Sequence, residues 1–330
     1  MFFIKKKDGS LCLVQDYHTL SAVTVKNKYP FPLISELISQ LCGARYFTKL
    51  DVCWGFSNIH INSGDKWKAA FRTNWGFFEP LVMFFGMTNS PATFQTMMNN
   101  VFRTIIAEEI VVVYLDDILI FTKTEEEHER VVWRVLEILV EHKLFLYLEK
   151  CEFYWKQIEY LRLVILENKV AMDPVKVARV YKWPILESQT DVQAFIGFVN
   201  FYCHFIQDFS TIAWPLFDLT RSDHAWNWGI KEQEAFKCLK MVVTTAPILV
   251  SLQDSEPFRI EANSSDFASG TILSHQLPRE KKWHPVAFYS KSLSLVEQNY
   301  EIYNKEMLAI ICMLEEWRHF LERARYLVEI

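Results

Sequence analysis

Two apolar runs with a short acidic segment between them form the most informative hydrophobic pattern of the chain. Residues 111–115 and 118–121 are continuously apolar, and Asp116 and Asp117 lie between them. This pattern predicts a β-hairpin whose strands are covered on both faces and whose turn carries two carboxylates. Asp51 follows another strand-like run, residues 46–50, so a third carboxylate is expected at a strand end. A solvated turn and a strand-end cap are the respective alternatives.

The spacing of apolar residues predicts several further elements. Helices are expected at 89–107, where Pro91 suits a first turn, at 125–141, and at 300–321. Further strands are expected at 58–61 and as a pair at 258–262 and 270–274. In the last helix one side is expected to face inward, and it carries Tyr303, Met307, Ile310, Leu314, Trp317 and Leu321.

Composition identifies a globular protein with more than one domain. The chain has 330 residues, of which 51% are apolar and 23% charged, with 9 Gly and 11 Pro. These values exclude disordered, collagen-like and low-complexity classes, and the length suits two or three domains.

Charge, cysteine content and hydropathy narrow the class. The net charge is −5, but the first 75 residues hold ten Lys or Arg residues and five Asp or Glu residues, so the basic surface is expected near the start. The 7 cysteines form no Cys-x-x-Cys pair and indicate free thiols in a reducing compartment. No apolar run approaches the roughly 18 residues of a membrane span. An intracellular protein without a membrane segment is therefore expected.

The three carboxylates indicate a chemistry. Carboxylates on neighbouring strand ends can hold two Mg²⁺ ions about 4 Å apart, an arrangement that activates a hydroxyl group and stabilises the leaving oxygen in phosphoryl transfer. Asp51, Asp116 and Asp117 are therefore candidate metal ligands, with Mn²⁺ as an alternative ion.

Five motifs connect this pattern to a known family. They are Lys5-Lys6-Lys7-Asp8-Gly9, Lys49-Leu50-Asp51, Asn89-Ser90-Pro91-Ala92-Thr93-Phe94-Gln95, Tyr114-Leu115-Asp116-Asp117 and Lys150-Cys151-Glu152-Phe153. In order and spacing they resemble the reverse transcriptase of gypsy-type LTR retrotransposons, and the resemblance covers nearly the whole chain.

The resemblance implies an α+β, multidomain fold. Residues 1–165 would form the fingers and the palm, with its antiparallel sheet, of a right-hand polymerase, and residues 166–225 the thumb and connection. Residues 226–330 would form an incomplete ribonuclease-H-like α/β domain. Both ends are expected to be cut inside a longer polyprotein that also carries protease and integrase.

The resemblance also assigns roles to individual residues. Asp51, Asp116 and Asp117 match the catalytic carboxylates. Lys6, Phe56 and Arg72 match dNTP-binding positions. Without the resemblance, core packing is the preferred interpretation of Phe56, and an exposed strand arginine is equally compatible with Arg72. Gln95 and Tyr114 match positions near the template and primer. The expected partners are an RNA or DNA template with a primer, and dNTPs.

Several positions depart from the family pattern. Cys12, His18 and Cys53 stand where the family has arginine, and Arg162 replaces a glycine of the primer-grip hairpin. Lost positive charge predicts weaker template–primer binding, and Arg162 predicts backbone strain or obstruction of the primer.

The ribonuclease-H-like region matches a degenerate site. Asn263 stands where the family has its first metal-binding aspartate, and a neutral carboxamide is a poor Mg²⁺ ligand. Glu306 matches the helix carboxylate and is expected near the inward face, either as a metal ligand or in a salt bridge. Asp266 would lie on the opposite face of the strand, and the next carboxylate of the family would lie beyond Ile330. Ribonuclease H activity is therefore expected to be absent.

Two functions follow for the whole chain. The first is an RNA-directed DNA polymerase that joins a dNTP to a primer 3′-hydroxyl by two-metal chemistry. The second is a catalytically silent relic, or an adopted nucleic-acid-binding or scaffold protein. A host nucleotidyltransferase is disfavoured because the thumb and ribonuclease-H-like segments follow in retrotransposon order.

Overall fold

The computed structural model describes residues 2–5, 9, 11–221, 226–251, 257–276, 282–322 and 328–330. The chain divides into two compact units, Met1–Ile158 and Glu159–Ile330. The finer division into fingers and palm, thumb and connection, and ribonuclease-H-like segments stays a prediction. No helix among the described ranges is long and apolar enough to cross a membrane.

The first unit mixes strands and helices. Its strands are β1 (Phe2–Lys5), β2 (Leu11–Val14), β3 (Tyr46–Asp51), β4 (Phe71–Thr73), β5 (Gly76–Phe78), β6 (Val111–Tyr114), β7 (Asp117–Thr122) and β8 (Glu152–Trp155). Its helices are α1 (His18–Val23), α2 (Ile34–Gln40), α3 (Ser90–Val101), α4 (Arg103–Ala107) and α5 (Glu125–Glu141).

A four-stranded antiparallel sheet in the order β6-β7-β3-β8 forms the centre of this unit. One face of the sheet packs against α3, α4 and α5 in a single apolar core, to which Leu50, Ile118, Phe94 and Val135 belong. Phe121, on the opposite face, is also buried. The strands are therefore covered on both faces, as their continuous apolar sequence predicts.

Helix α5 matches the predicted range of 125–141 because its ends are well marked. The Thr124 hydroxyl accepts a hydrogen bond from the backbone N–H of Glu127, and three glutamates occupy the first turn. A side-chain cap and negative charge at the helix N-terminus both favour helix initiation at this point.

Two predictions for the first unit are wrong in detail. Residues 58–61 do not form a strand, because residues 55–58 make a short 3₁₀ turn and His60 forms only an isolated bridge with Val82. The predicted helix 89–107 is interrupted at Phe102, whose ring is fully buried between α3 and α4.

The second unit contains two sheets and six α-helices within the described residues. Strand β9 (Gln157–Tyr160) spans the boundary, and the other strands are β10 (Leu163–Leu166), β11 (Lys169–Met172), β12 (Leu249–Val250), β13 (Phe258–Ser264), β14 (Ala268–Gln276) and β15 (Trp283–Ser292). The longer helices are α6 (Pro174–Tyr181), α7 (Gln189–Asn200), α8 (Phe209–Leu219), α9 (Ile230–Thr244) and α10 (Ile302–Glu316), and a single turn, α11 (Arg318–Leu321), follows α10.

The last sheet of the chain is an antiparallel meander in the order β13-β14-β15. The paired strands predicted at 258–262 and 270–274 are therefore confirmed, with β13 and β14 in register from Phe258 opposite His275 to Ser264 opposite Ser269. Helix α10 packs on this sheet through Met313, and Trp317 follows in the same core.

The inward face predicted for the last helix is confirmed only in part, because Trp317 is buried in this core and Ile310 and Leu321 pack against it. Tyr303, Met307 and Leu314 are exposed, whereas the buried positions of α10 are Lys305, Ala309 and Met313. The helix carries apolar residues on more than one side, so its sequence period alone does not identify the side that contacts the sheet.

Candidate active site

The three carboxylates identified in the sequence lie at one end of the central sheet. Asp51 is the last residue of β3 and Asp117 the first of β7, and the two are direct partners in the antiparallel register. Asp116 lies in the turn before β7, and its backbone carbonyl accepts a hydrogen bond from the Val52 N–H at 2.9 Å. The antiparallel pairing of β3 with β7 therefore brings residue 51 next to residues 116 and 117.

The turn between β6 and β7 differs by one residue from the predicted apex. Tyr114 pairs with Asp117, so Leu115 and Asp116 form the two-residue connection and Asp117 belongs to a strand. Leu115 has φ +54°, in the left-handed region that bulky residues rarely occupy. This conformation reverses the chain within two residues and places Asp116 at the tip.

Gln95, on helix α3, hydrogen-bonds the backbone on both sides of Tyr114, just before this turn. Its side chain is fully buried, at 0% exposure. The amide nitrogen donates to the Val113 carbonyl at 2.9 Å, and the amide oxygen accepts from the Leu115 N–H at 2.8 Å. The Gln95 amide therefore hydrogen-bonds strand β6 and its connection from inside the core, and its predicted contact with the template stays a prediction.

The support extends one step further. The Gln95 amide nitrogen also donates to the Asn99 side-chain oxygen at 2.9 Å, and Asn99 donates to the Tyr29 hydroxyl at 2.8 Å. The sequence signal for Asn99 was its place one helical turn after Gln95, although the sequence does not show which face of α3 is buried.

Burial and mutual repulsion set the electrostatics of the acidic end. Burial raises the pKa of Asp116 to about 6, and the neighbouring charges of Asp51 and Asp117 act in the same direction. Burial also raises the pKa of Asp117, while Lys49, whose Nζ lies 4.0 Å from Asp117 Oδ1, opposes that rise. Negative charge is therefore concentrated at this end of the sheet, and lysine side chains compensate part of it.

A second lysine, in addition to Lys49, contacts the carboxylates at this end of the sheet. Lys150 Nζ lies 3.3 Å from both carboxylate oxygens of Asp51. The same ammonium lies 4.3 Å from the centre of the Tyr147 ring, whose residue donates its backbone N–H to the Asp51 carbonyl at 3.0 Å. The sequence identifies Lys150-Cys151 only as part of a family motif and does not predict the ion pair of Lys150 with Asp51.

The donor set can be compared with the needs of a divalent cation. Carboxylate oxygens are the preferred ligands of Mg²⁺. Asp116 Oδ1 is buried and has no hydrogen-bond partner, as expected for an oxygen that serves a cation. In the described part of the chain, however, no group of three or more His, Cys, Asp or Glu side chains is arranged closely enough to hold a metal ion. The residue types therefore fit a divalent cation. Their present arrangement does not, and Asp51 is paired with Lys150.

Gly55 was missed by the sequence reasoning. A Cβ atom at this position would lie 1.8 Å from Asp116 Oδ1 and 3.2 Å from the ring of Phe94. Only glycine leaves room for the carboxylate, so Gly55 shapes the site without contributing a side chain.

Phe56 follows directly and belongs to the core. It is 7% exposed, and its ring makes edge contacts with Phe85 at 4.8 Å and Phe94 at 5.8 Å between centroids. The packing alternative is therefore present, while the selection of dNTP over rNTP stays a prediction.

Three further residues of the first unit are predicted to contact nucleotide, template or primer. Lys6 lies outside the described residues. Arg72 is exposed on β4, with its guanidinium 5.8 Å from the Phe77 ring. Tyr114 is partly buried, with its ring centroid 6.2 Å from that of Phe31. Their contacts with nucleotide, template or primer stay predictions.

Three of the departures from the family pattern have described side chains. His18 is exposed, and its ring contacts the Asp16 carboxylate. Cys53 is partly buried, and burial is the main cause that raises the pKa of its thiol. Arg162 has φ +66°, so the strain predicted from the loss of glycine is observed at this position. For Cys12 only the backbone is described, in β2 opposite Ile4.

The residues of the degenerate ribonuclease H site lie in the second unit. Asn263 is exposed on β13, and its side-chain oxygen accepts the backbone N–H of Ser264 at 2.8 Å. Glu306 is exposed on α10, so its predicted inward position is wrong. The buried neighbour is Lys305, whose ammonium lies 3.3 Å from Asp266 Oδ1. The helix therefore presents a cation to the β13–β14 connection.

Family models and curated proteins match most of the chain in sequence. Residues 4–165 match the family model described as reverse transcriptase (RNA-dependent DNA polymerase). Residues 228–328 match the model described as an RNase H-like domain found in reverse transcriptase. The Tf2-3 and Tf2-7 transposon polyproteins of Schizosaccharomyces pombe are 36% and 35% identical to the chain over 98% of its length, and the chain spans 24% of each.

Solved structures share the fold. The foamy viral protease-reverse transcriptase in complex with dsDNA has a TM-score of 0.84 at 19% identity, covering 99% of this chain and 67% of that one. The same viral protein in complex with an RNA/DNA hybrid has a TM-score of 0.81 at 19% identity, covering 96% of this chain and 42% of that one. The two family models and the transposon relatives show that the chain belongs to the reverse transcriptase family and carries an RNase H-like region after its polymerase region.

Proposed function

We propose that the chain is the polymerase part of a gypsy-type retrotransposon polyprotein and that it extends a primer on an RNA or DNA template. The observation that carries this proposal is the register of β3 and β7, which pairs Asp51 with Asp117 beside the Asp116 tip. Reverse transcriptases use divalent metal ions, and the buried, unpartnered oxygen of Asp116 supports a cation at this tip.

The three carboxylates would hold two Mg²⁺ ions, or Mn²⁺ in their place. When bound, such ions lower the pKa of the primer 3′-hydroxyl and neutralise the triphosphate of the dNTP. The chain itself positions the ligands: Gln95 fixes the connection that carries Asp116, and Gly55 leaves space for its carboxylate. Lys150 must release Asp51 before that carboxylate can accept a cation, because its ammonium contacts both oxygens.

The substrates follow from the same assignment. Lys6 is proposed to bind the triphosphate, Phe56 to exclude a ribose 2′-hydroxyl and Tyr114 to contact the primer or template. Curated relatives are polyproteins of which the chain spans 24%, which supports a polyprotein that also contains protease and integrase. Asn263 supports an RNase H-like region without cleavage activity, since its carboxamide is a weak ligand for Mg²⁺.

A catalytically silent chain is the second candidate. The Lys150–Asp51 ion pair and the strained Arg162 favour it, because the first competes with a metal and the second alters the hairpin matched to the primer grip. Such a chain would bind nucleic acid without extending a primer.

Primer extension distinguishes the two. The purified chain, a labelled primer on an RNA template, dNTPs and Mg²⁺ or Mn²⁺ should give extended products, and Asp116→Asn should abolish them. Asp65→Asn is the matched control, because this aspartate lies on a surface turn in an ion pair with Lys68. Products that persist in Asp116→Asn, or no extension by the unsubstituted chain at low salt with either metal, would refute the polymerase proposal.

A further inference from the structure

A short hairpin in the first unit exposes aromatic side chains that the proposed catalytic chemistry does not use. Strands β4 and β5 pair in an isolated two-stranded sheet, with Arg72 opposite Phe77 and Thr73 opposite Gly76. Asn74 and Trp75 form the connection. The hairpin covers residues 71–78 and is here called the aromatic hairpin.

The two faces of the aromatic hairpin differ. Phe71 and Phe78 share one face and stack on each other, with centroids 6.0 Å apart at an interplanar angle of 24°. Arg72 and Phe77 share the other face, where the guanidinium lies 5.8 Å from the ring centroid. This second face therefore presents a cation beside an aromatic surface.

The rings on this second face and at the tip are open to solvent. Trp75 is 92% exposed and Phe77 is 78% exposed. Two hydrogen bonds nevertheless hold the tip: the Trp75 N–H donates to the Thr73 hydroxyl at 3.1 Å, and that hydroxyl donates to the Gly76 carbonyl at 3.4 Å. Exposed apolar groups held by a defined backbone are typical of a binding surface.

We propose that the aromatic hairpin binds unpaired bases of a single-stranded nucleic acid, with Trp75 and Phe77 stacking on the bases and Arg72 contacting the backbone phosphates. Base stacking on aromatic rings is tolerant of sequence, and an adjacent arginine adds both cation–π and phosphate contacts. In the proposed polymerase the single-stranded nucleic acid is the part of the template that lies ahead of the primer end. The identity of this ligand therefore rests on the proposed function.

Charge favours this occupant over a protein. The first 75 residues hold ten Lys or Arg residues against five Asp or Glu residues, which suits a polyanion. A second copy of the chain is disfavoured, because a two-fold contact at this face would bring Arg72 close to its symmetry mate. This face also consists of only three side chains, Trp75, Phe77 and Arg72, whereas a stable protein interface has about 20–30 residues on each side.

Direct binding measurements test the inference. Fluorescence anisotropy would compare a primer–template duplex carrying an unpaired 5′ template extension with the same duplex made blunt, at one fixed salt concentration and without dNTP. We expect tighter binding to the extended duplex, and the difference should fall about tenfold in Trp75→Ala and again in the Trp75→Ala/Phe77→Ala double variant. Trp75→Phe should retain most of it.

Trp133→Ala is the matched control, since Trp133 is also largely exposed, at 61%, but lies on α5. It should bind both duplexes like the unsubstituted chain. Thermal unfolding should be unchanged in Trp75→Ala because its ring is in solvent, so reduced binding reports the surface and not the fold.

Three outcomes would overturn the inference. These are equal affinity for extended and blunt duplexes, unchanged discrimination in the double variant, and a Trp75-dependent dimer in light scattering, which would assign the face to a second copy. The assay needs no chemistry, so its result is separable from the polymerase proposal. A chain that discriminates through Trp75 but never extends a primer refutes only the polymerase function.

Discussion

The contact between Gly55 and Asp116 shows how much a single missing atom contributes to the candidate site. The carboxylate oxygen lies where a Cβ of residue 55 would be, at 1.8 Å from its ideal position. Both partners are held by their backbones: residue 55 lies in a 3₁₀ turn, and Asp116 belongs to the connection fixed by Gln95. The carboxylate therefore has to move if the methyl group is added.

Gly55→Ala should lower primer extension by on the order of 100-fold, because a displacement of about 1 Å at reacting groups has an effect of that size. The measurement is single-turnover extension with saturating dNTP. Gly64→Ala is the control, since no atom lies within 4 Å of its added Cβ. Full activity of Gly55→Ala would show that Asp116 is free to reorient and that the observed contact is irrelevant to the reaction.

His128 gives a prediction for stability. It is fully buried on α5, where Nε2 lies 2.7 Å from the Thr48 hydroxyl and Nδ1 lies 3.0 Å from the Thr122 hydroxyl. Burial lowers the pKa of His128 from 6.5 to about 4, so the folded state favours the neutral ring. The unfolded chain takes up the proton first as the pH falls. The stability contributed by His128 is therefore present above pH 6.5 and is lost as the pH approaches 4.

The expected loss is about 3 kcal/mol over this range, from the size of the pKa shift. Asp116 changes in the opposite direction, because its pKa is raised to about 6, so the profile of the whole protein mixes the two. Urea unfolding of the unsubstituted chain and His128→Gln between pH 7 and pH 4.5 isolates the histidine as a difference. The exposed His142 supplies the control His142→Gln. Equal pH dependence in His128→Gln and the unsubstituted chain would contradict the assignment.

At the scale of elements, the β6–β7 connection depends on a residue of a separate element, helix α3. Gln95 of α3 hydrogen-bonds both Val113 and Leu115, which leaves the strained Leu115 no freedom to relax. The sequence predicts the hairpin from its two apolar runs. It does not predict this support, because a glutamine on a helix gives no sign of which backbone groups it meets.

Gln95→Ala should lower the free energy of unfolding by about 2–3 kcal/mol, because two buried backbone groups lose their partner. Gln95→Glu should also reduce activity, since a carboxylate can accept from Leu115 but cannot donate to Val113. Urea unfolding and primer extension measure the two effects. Asn100→Ala, on the exposed side of the same helix, is the control. An unchanged unfolding midpoint in Gln95→Ala would contradict the supporting role.

Helix α10 is an element whose buried side the sequence does not identify. Its apolar residues lie on two sides, and the side that contacts the sheet includes Lys305, a residue type rarely chosen for a core. The ammonium is accommodated because Asp266 reaches it from the β13–β14 connection. A pairing of this kind depends on tertiary structure, which explains why the predicted inward positions of Tyr303 and Glu306 are wrong.

At the scale of the whole molecule, the two ends of the chain differ in what the sequence predicts. In the first unit, strand-end carboxylates and continuous apolar strands predict both the sheet and the meeting of Asp51 with Asp117. In the second unit, the paired strands are predicted, but only part of the helix face that packs on them is. The difference arises because a continuously apolar strand is buried on both faces, whereas a helix with apolar residues on two sides can dock by either side.

The same contrast extends to chemistry. The polymerase region carries three carboxylates at the strand ends on one side of its central sheet. Strand β13 of the RNase H-like region carries Asn263 instead of a carboxylate. We expect the purified chain to release no short fragments from an RNA/DNA hybrid with labelled RNA, under the metal conditions used for primer extension. The physical reason is that a neutral amide oxygen replaces an anionic ligand of a divalent cation. An active ribonuclease H on the same hybrid is the positive control.

Asn263→Asp separates the possible causes of that inactivity. The side chain is exposed and its oxygen contacts only the neighbouring Ser264 N–H among the described hydrogen bonds, so the exchange should not disturb β13. A gain of cleavage in Asn263→Asp would assign the loss to this one carboxamide. Continued inactivity would place a second defect elsewhere, in agreement with a Glu306 that lies on the exposed side of α10. Fragment release by the unsubstituted chain would contradict the prediction, because Asn263 would then be compatible with metal-dependent cleavage.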